Sequence, residues 1–285
     1  MEVPDVEQLV REHVAGLNRP PETFRAAATD CCRVSVVIPS FNQGQFLERT
    51  LRSVLNQDWP DLEVIVVDGA SSDNSVEVIR AYAPYLAWWV SEKDAGQTQA
   101  IVKGLRHATG RYVTWLGSDD LLMPGAVRRM AEALERAPRA CMVYGGVAFI
   151  DAHEHVLKCL SYRDMSRDAL LYRKHSTIAQ PSSLLRREAL DGAGGLDESL
   201  HYCMDYDLWI RLHAWGPSVN LGEEVLSCYR LHEESKTVAA YTRMALEKVR
   251  VNRRHTGDIM NKVISSHYWY IIEGRVKTLL RRGKR

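Results

Sequence analysis

Hydrophobic positions in the first half of the chain fall into two alternating patterns. Val34-Ser35-Val36-Val37-Ile38 is a compact run rich in β-branched residues and stopped by Pro39, the signature of a buried strand. Asn42-Gln43-Gly44-Gln45 is polar, and Phe46, Leu47, Leu51, Val54 and Leu55 then recur at helical spacing until Asp58-Trp59-Pro60 ends the pattern. The alternation repeats. Leu62–Asp68 predicts a second buried strand, Gly69-Ala70-Ser71-Ser72-Asp73 a loop, and Val76, Val78, Ile79 and Tyr82 a helix. A third strand is expected over Leu86–Val90, a helix over Thr98–His107 and a fourth strand over Arg111–Leu116. Strand, loop, helix, strand predicts an α/β fold with a mainly parallel sheet built from crossover units, whose ligands gather beyond the carboxyl ends of the strands.

The second half is less regular. Pro124 leads into a helix through Val127, Met130 and Leu134, and Cys141–Gly145 reads as a strand. From Asp151 to Ser176 the periodicity fades, and helices are expected from about Tyr206 to Trp215 and from Tyr241 to His255. Ile264–Leu280 sets aromatic and aliphatic residues beside Arg275 and Lys277, which suits an amphipathic interfacial helix and equally a dimer-forming or core-packing one. Residues 1–30, with Pro4, Pro20 and Pro21, read as an arm carrying a short helix over Val6–Leu17.

Composition narrows the function. A chain of 285 residues, 46% hydrophobic, can bury a large core. Its 37 basic and 36 acidic residues leave a formal charge of +1, so it lacks the basic field of a nucleic-acid binder. The basic tail Arg275–Arg285 is the exception, and it fits peripheral contact with an anionic surface. Six cysteines without C-x-x-C spacing, an acidic start with no apolar core, and no apolar run of the ~18 residues a membrane span needs predict a cytoplasmic protein, at most peripheral to the inner face of the membrane.

The candidate chemistry sits at strand ends. In Trp115-Leu116-Gly117-Ser118-Asp119-Asp120 an apolar strand delivers two adjacent carboxylates. They suit a hard cation, Mn²⁺ or Mg²⁺, shared with substrate phosphates; they suit a helix N-cap about as well. Asp68 ends another strand before a Gly- and Ser-rich turn, where it can accept hydrogen bonds from a base or ribose, while Asp73 reads better as a cap for the following helix. Asp205 and Asp207 open a predicted helix far downstream.

Together Val36–Asn42, Asp68–Asp73, Ser91–Gln97 and Ser118-Asp119-Asp120, in this order, resemble the family 2 glycosyltransferases of GT-A fold, in particular bacterial members that build polysaccharides and cell-surface glycans. The resemblance spans residues 33 to 235. It implies an N-terminal arm (1–30), a catalytic domain (31–235) with a nucleotide-sugar half (31–125) and an acceptor half (126–235), and a C-terminal helical extension (236–285).

By resemblance, Pro39, Ser40, Phe41 and Asn42 line the nucleotide pocket, Asp68 holds the base (uracil or an equivalent), and Asp94, Gln97 and Lys103 face the donor. Ser118 and Asp119 lie near the ribose, Asp120 ligates the cation, and Arg230 and His232 fold back to contact the diphosphate and complete the metal shell. Asp205 stands where the family carries its catalytic base, with Gln180 and Met204 as acceptor-side residues. The implied reaction is an inverting transfer from a nucleotide-diphosphate sugar, UDP-linked in preference, to a hydroxyl of a glycan or lipid-linked acceptor. Three positions depart from the family pattern: Gln99 and Ser118 replace common acids, and Met204 replaces a common Glu. A sugar nucleotidyltransferase would need a Gly-rich phosphate loop after the first strand, which Pro39-Ser40-Phe41-Asn42 is not. A catalytically silent nucleotide-sugar or glycan-binding module is the other alternative. Oligomeric state does not follow from the sequence.

Overall fold

The computed structural model describes residues 3–17, 32–161, 165–173, 178–232 and 240–267. One mixed sheet organises the chain. Strand β1 (Val34–Ser40) pairs in parallel with β2 (Leu62–Asp68) and β4 (Tyr112–Trp115), and β2 with β3 (Trp88–Ser91). The connecting helices are α2 (Gly44–Leu55), α3 (Ser75–Tyr82) and α4 (Gln97–His107). The spatial order 3-2-1-4 is the crossover arrangement predicted from the alternating pattern. Strand register sets Ser40 beside Asp68, and Asp68 beside Ser91, so the polar ends of β1 to β3 open on one edge.

Beyond β4 the sheet changes direction. β8 (Ser183–Arg186) pairs antiparallel with β4 and with β6 (Met142–Ile150). β6 runs parallel to β9 (Ser218–Arg230), whose partner on the far side is the short β5 (Leu121–Leu122). β7 (Val156–Leu160) hairpins onto β6. The β6–β9 register breaks near Gly145-Gly146. A Cβ on Gly145 would stand 2.6 Å from the Leu226 side chain, and one on Gly146 would stand 3.0 Å from the Glu224 carbonyl. Only glycine allows so close an approach.

The two sheet faces carry separate cores. On one face α2, α3 and α5 (Ala126–Arg136) cover Val36, Ile38, Val64 and Val66. On the other, α4 and α8 (Met204–Leu212) cover Val37, Ile65, Val67 and Val113, and Trp115 stacks on Trp209 at 6.0 Å. α6 (Arg167–Tyr172), α7 (Arg187–Gly192) and the long α9 (Tyr241–Thr256) complete this second layer. The helix anticipated over Val6–Leu17 is α1 (Val3–Gly16), and its Val6 and Val10 pack with Leu121, Met123, Ile150 and Cys228 in a third cluster. Arg49 and Arg52 of α2 donate to the carbonyls of Val14 and Leu17, fastening α1 to the body. Among the described residues no helix is long and apolar enough to cross a membrane. The basic tail and nearly all of the predicted 264–280 helix lie outside the described residues.

Candidate active site

Three loops at the carboxyl ends of β1, β2 and β3 are tied together by short polar side chains. Asp68 is fully buried; its carboxylate accepts from the Ser71 N–H at 2.9 Å, the Ser71 hydroxyl at 2.5 Å and the Ser91 hydroxyl at 2.6 Å. Asn42 adopts a left-handed conformation (φ 52°), which lets its side chain accept from Ser72 N–H at 2.8 Å while its own N–H donates to Ser71. Asp73 receives Gly44 N–H and both donors of Ser75. Burial pushes the Asp73 carboxyl up, but these hydrogen bonds outweigh it and hold it below the usual carboxylate range. Asp73 thus bonds the start of α3, the helix it was expected to cap, and in addition fastens the β2 loop to the start of α2.

Phe41 stands at the tip of β1, 60% exposed, beside Gly69 and Asp94. A Cβ on Gly69 would lie 3.0 Å from Asp94 Oδ2 and 3.2 Å from Phe41 Cδ2, so glycine there keeps a narrow slot between an aromatic face and a carboxylate. Behind Phe41, Pro39 and Ser40 are buried in β1, and the Ser40 hydroxyl has no hydrogen-bond partner among the described residues. Asp94 accepts from Gly96 N–H, which opens α4 with Gln97 at its first position. Gln99, whose role the sequence left open, accepts from Ala95 N–H and closes this loop. Lys103 is paired with Glu92 at 2.6 Å.

The acidic pair follows β4. Asp119 Oδ1 and Asp120 Oδ2 converge on one point: a Cβ on Gly117 would sit 2.8 Å from the first and 2.9 Å from the second. No side chain longer than hydrogen fits between them. Asp120 is 5% exposed, and burial together with the neighbouring Asp119 charge raises its carboxyl well above the usual range, against the opposing pull of Arg230. Two adjacent carboxylates, one of them buried, suit a divalent cation better than a helix cap, because α5 begins only at Ala126 and neither acid caps it. Among the described residues no group of three or more His, Cys, Asp and Glu side chains could hold a metal unaided, so a bound cation would draw further ligands from water or substrate.

The loop that carries the pair is held from below. Thr50 of α2 donates its hydroxyl toward the carbonyls of Ser118 (2.9 Å) and Asp120 (2.8 Å), and Ser53 accepts from Leu122 N–H. Thr50 and Ser53 escaped sequence reasoning. The signal was there, since both interrupt the apolar face of α2 between Leu47, Leu51 and Val54, where a polar residue needs a specific partner.

The β9 end corrects one expectation. Arg230 is 1% exposed: its N–H donates to Asp120 Oδ1 at 2.9 Å, its Nε to the Asp119 carbonyl at 2.7 Å, and its guanidinium to Glu154 and the Asp151 and Ala152 carbonyls. It also lies 4.6 Å over the Phe46 ring. All three guanidinium nitrogens are bonded inside the protein, so Arg230 stands as an internal strut beneath Asp119-Asp120 rather than as a group extended toward a diphosphate. His232 does approach the pair, with Nε2 2.9 Å from Asp119 Oδ2 and its ring tilted against Phe46.

On the acceptor side, Gln180 donates to the Trp115 carbonyl, directly before the acidic loop. Met204 needs a second correction: at 5% exposure its side chain belongs to the core with Cys203, Tyr206 and Leu208, because it falls on the inward face of α8's first turn. Asp205, the next residue, keeps partial access to solvent, and its carboxylate accepts from Tyr206 N–H at 2.7 Å. Burial raises the Asp205 carboxyl, with Lys248 pulling the other way. Asp207 is buried and structural, bound by Arg211, Arg254 and His255. The loop before α8 meets the loop at 94–98, since the Leu200 carbonyl accepts from Thr98 and the His201 ring lies against Gly96.

A 3-2-1-4 parallel half extended by a mixed sheet, with strand-end acids grouped on one edge, is the GT-A architecture of nucleotide-sugar transferases. S. aureus TarS (residues 1–349) in complex with UDP-GlcNAc superposes with a TM-score of 0.62 at 16% identity, over 83% of this chain and 71% of that one. A mannosyltransferase of Pyrobaculum calidifontis in complex with GDP-Man and Mn²⁺ gives 0.57 at 22% identity, over 94% and 77%. The glycosyl transferase family 2 profile matches residues 35–193, more than half the chain, and the protein belongs to that family. An uncharacterized glycosyltransferase of Rickettsia prowazekii is 28% identical over 217 residues, 74% of this chain and 68% of the relative.

Proposed function

We propose that the chain is an inverting, metal-assisted glycosyltransferase that moves a sugar from a nucleotide-diphosphate donor to a hydroxyl of a glycan or lipid-linked acceptor. The observation that carries this reading is the approach of Asp119 and Asp120 to Gly117 after β4, on the same sheet edge as the Phe41, Gly69 and Asp94 cluster at the ends of the parallel strands β1 to β3. In this reading the base of the donor lies against Phe41 and near Asp68. Asp94 and Gln97 border the donor, and Asp120 with Asp119 would hold the cation, His232 bonding Asp119 from behind and further ligands coming from water or substrate. A bound Mn²⁺ or Mg²⁺ would supply charge neutralisation for the departing diphosphate.

Asp205 is the base. Its carboxylate takes the proton of the acceptor hydroxyl as the acceptor oxygen bonds to the anomeric carbon, and the bond from that carbon to the phosphate oxygen breaks with its electron pair leaving on the nucleoside diphosphate. A single displacement of this kind inverts the anomeric centre. A carboxyl raised by burial is a better base than a free one, provided it is ionised at the working pH. UDP-sugars are the favoured donors, although similar folds are found with both UDP-GlcNAc and GDP-Man. The Lys103–Glu92 ion pair would have to open for Lys103 to approach the phosphates.

Calorimetric titration with UDP and with GDP, each with and without Mn²⁺, tests the site. Mn²⁺-dependent binding of one nucleotide is expected, and Asp120→Asn should remove the dependence. Binding indifferent to Mn²⁺ in the parent protein would reject the cation assignment.

A further inference from the structure

Helix α8 starts without a side-chain cap, and the loop before it presents successive peptide N–H groups toward α9. They meet one carboxylate. Glu247, 7% exposed, accepts from Tyr202 N–H at 2.7 Å and Cys203 N–H at 2.8 Å through Oε1, while the His201 N–H stands 3.1 Å from each oxygen. Buried carboxylates are costly unless they are fully hydrogen-bonded, and charge-assisted bonds of this kind fix backbone geometry firmly. The same helix holds two more positions of α8: Asn252 donates to the Tyr206 hydroxyl and the Leu171 carbonyl, and Arg254 and His255 bind Asp207.

Asp205 therefore lies between clamped neighbours, with residues 201–203 held on one side and 206 and 207 on the other, while its own carboxylate stays unclamped apart from the Tyr206 N–H. The restraint acts on the backbone and leaves the acid free for chemistry. It also reaches the donor side, because the Leu200 carbonyl and His201 contact Thr98 and Gly96. Glu247, Asp205 and the 200–203 loop all lie outside residues 35–193, where the family profile matches.

We propose that Glu247 is a positioning residue for Asp205: it serves as a built-in anion that fixes the 201–203 backbone, and with it the direction and depth of the acid relative to the donor loop at 94–98. The proposal rests on the reading of Asp205 as the base. A misplacement of about 1 Å at a reacting group costs on the order of 10²-fold in rate, and loosening this loop is a displacement of that kind.

The test is a double-mutant cycle on the full chain with Glu247→Gln, Asp205→Asn and the pair combined. Turnover is followed as UDP or GDP release from UDP-GlcNAc or GDP-Man in the presence of Mn²⁺, and UDP or GDP affinity by calorimetry. Glu247→Gln is expected to lower kcat on the order of 10²-fold, leave nucleotide affinity within about twofold, and have no further effect in the Asp205→Asn background. Unchanged kcat in Glu247→Gln, or an equal loss in both backgrounds, overturns the positioning role while leaving the base intact. Full turnover in Asp205→Asn alone overturns the base, and the positioning role with it. If Glu247→Gln no longer binds nucleotide, Glu247→Asp, which keeps the charge on a shorter arm, carries the same cycle and is judged by the same two comparisons.

Discussion

The two halves of the sheet solve different problems with different means. From β1 to β4 every strand is parallel, every connection is a helix, and the loops after β1 and β2 are organised by neighbours within about thirty residues, as when Asp68 binds Ser71 and Ser91 or Asp73 binds Gly44. From β5 onward the sheet is mixed, with β5, β7 and β8 antiparallel to their neighbours, and the groups beneath the acids come from far along the chain: Arg230 reaches Asp119, Asp120 and Glu154, and Glu247 reaches 201–203. The first half ties its loops by local turn chemistry; the second supports Asp119, Asp120 and the loop before α8 by long-range bonds to Arg230 and Glu247. Damage should differ accordingly, with local changes altering binding and long-range ones altering either rate or stability.

The largest contrast is expected at Asp205→Asn. Loss of a general base costs typically 10²–10⁴-fold, so kcat should drop by about 10³-fold, while Mn²⁺-dependent binding of UDP or GDP, which belongs to the first half, should stay within about threefold. Single-turnover rates beside calorimetry separate the two, and an equal loss in both would erase the distinction between halves.

Arg230→Met probes the other consequence of long-range support. The change leaves the Glu154 carboxylate and the Asp119 carbonyl without their partner, although Arg49 still pairs with Glu154 at 2.6 Å. Removing one member of a buried pair costs about 3 kcal/mol, which urea unfolding would read directly. Were Arg230 instead a ligand for the diphosphate, stability would hold and nucleotide affinity would fall.

Thr50→Val is smaller and sharper. The substitution keeps the shape and removes the hydroxyl that donates to the Ser118 and Asp120 carbonyls, so about 1–2 kcal/mol of stability should be lost. The same loop carries the cation site, and the Mn²⁺ dependence of nucleotide binding should weaken about tenfold. Loss of stability without any change in Mn²⁺ response would confine Thr50 to the core.

The same contrast governs what could be read from the sequence. The parallel half was legible because a buried strand and an amphipathic helix announce themselves by period, and α2 to α4 and β1 to β4 fall within a few residues of their expected ranges. The acids at the strand ends were legible through motif order. Arg230 and Met204 were misjudged for a physical reason: sequence identifies a residue beside a motif but not the direction of its side chain, and both turn inward. Glu247 gave no signal, since a glutamate on a polar helix is indistinguishable from a solvated one until the loop it binds is seen. The tail at Arg275–Arg285 remains an expectation from composition alone, outside the described residues.

Asp120→Asn carries the smallest expected change in stability, and it has the least ordinary sign. A carboxyl whose folded-state value is raised binds protons in the folded protein more readily than in the unfolded one, so folding stability falls as pH rises from the ordinary carboxylate range through the raised value. Above that window the metal-free parent carries the whole penalty of a buried, repelled charge. Asparagine has the same shape, can still accept the Arg230 N–H, and carries no charge to bury. With metal chelated at neutral pH, the variant should therefore melt about 2–4 °C higher than the parent, for a gain near 1 kcal/mol. The gap should close as pH falls toward 4, because the parent's carboxyl then takes up its proton. Adding Mn²⁺ should raise the melting temperature of the parent and leave the variant unmoved, since ligand binding stabilises only the folded form that can hold it. A parent more stable than its variant in chelator would mean that the second half already neutralises Asp120 through Arg230, and that the acid was never held ready for a cation.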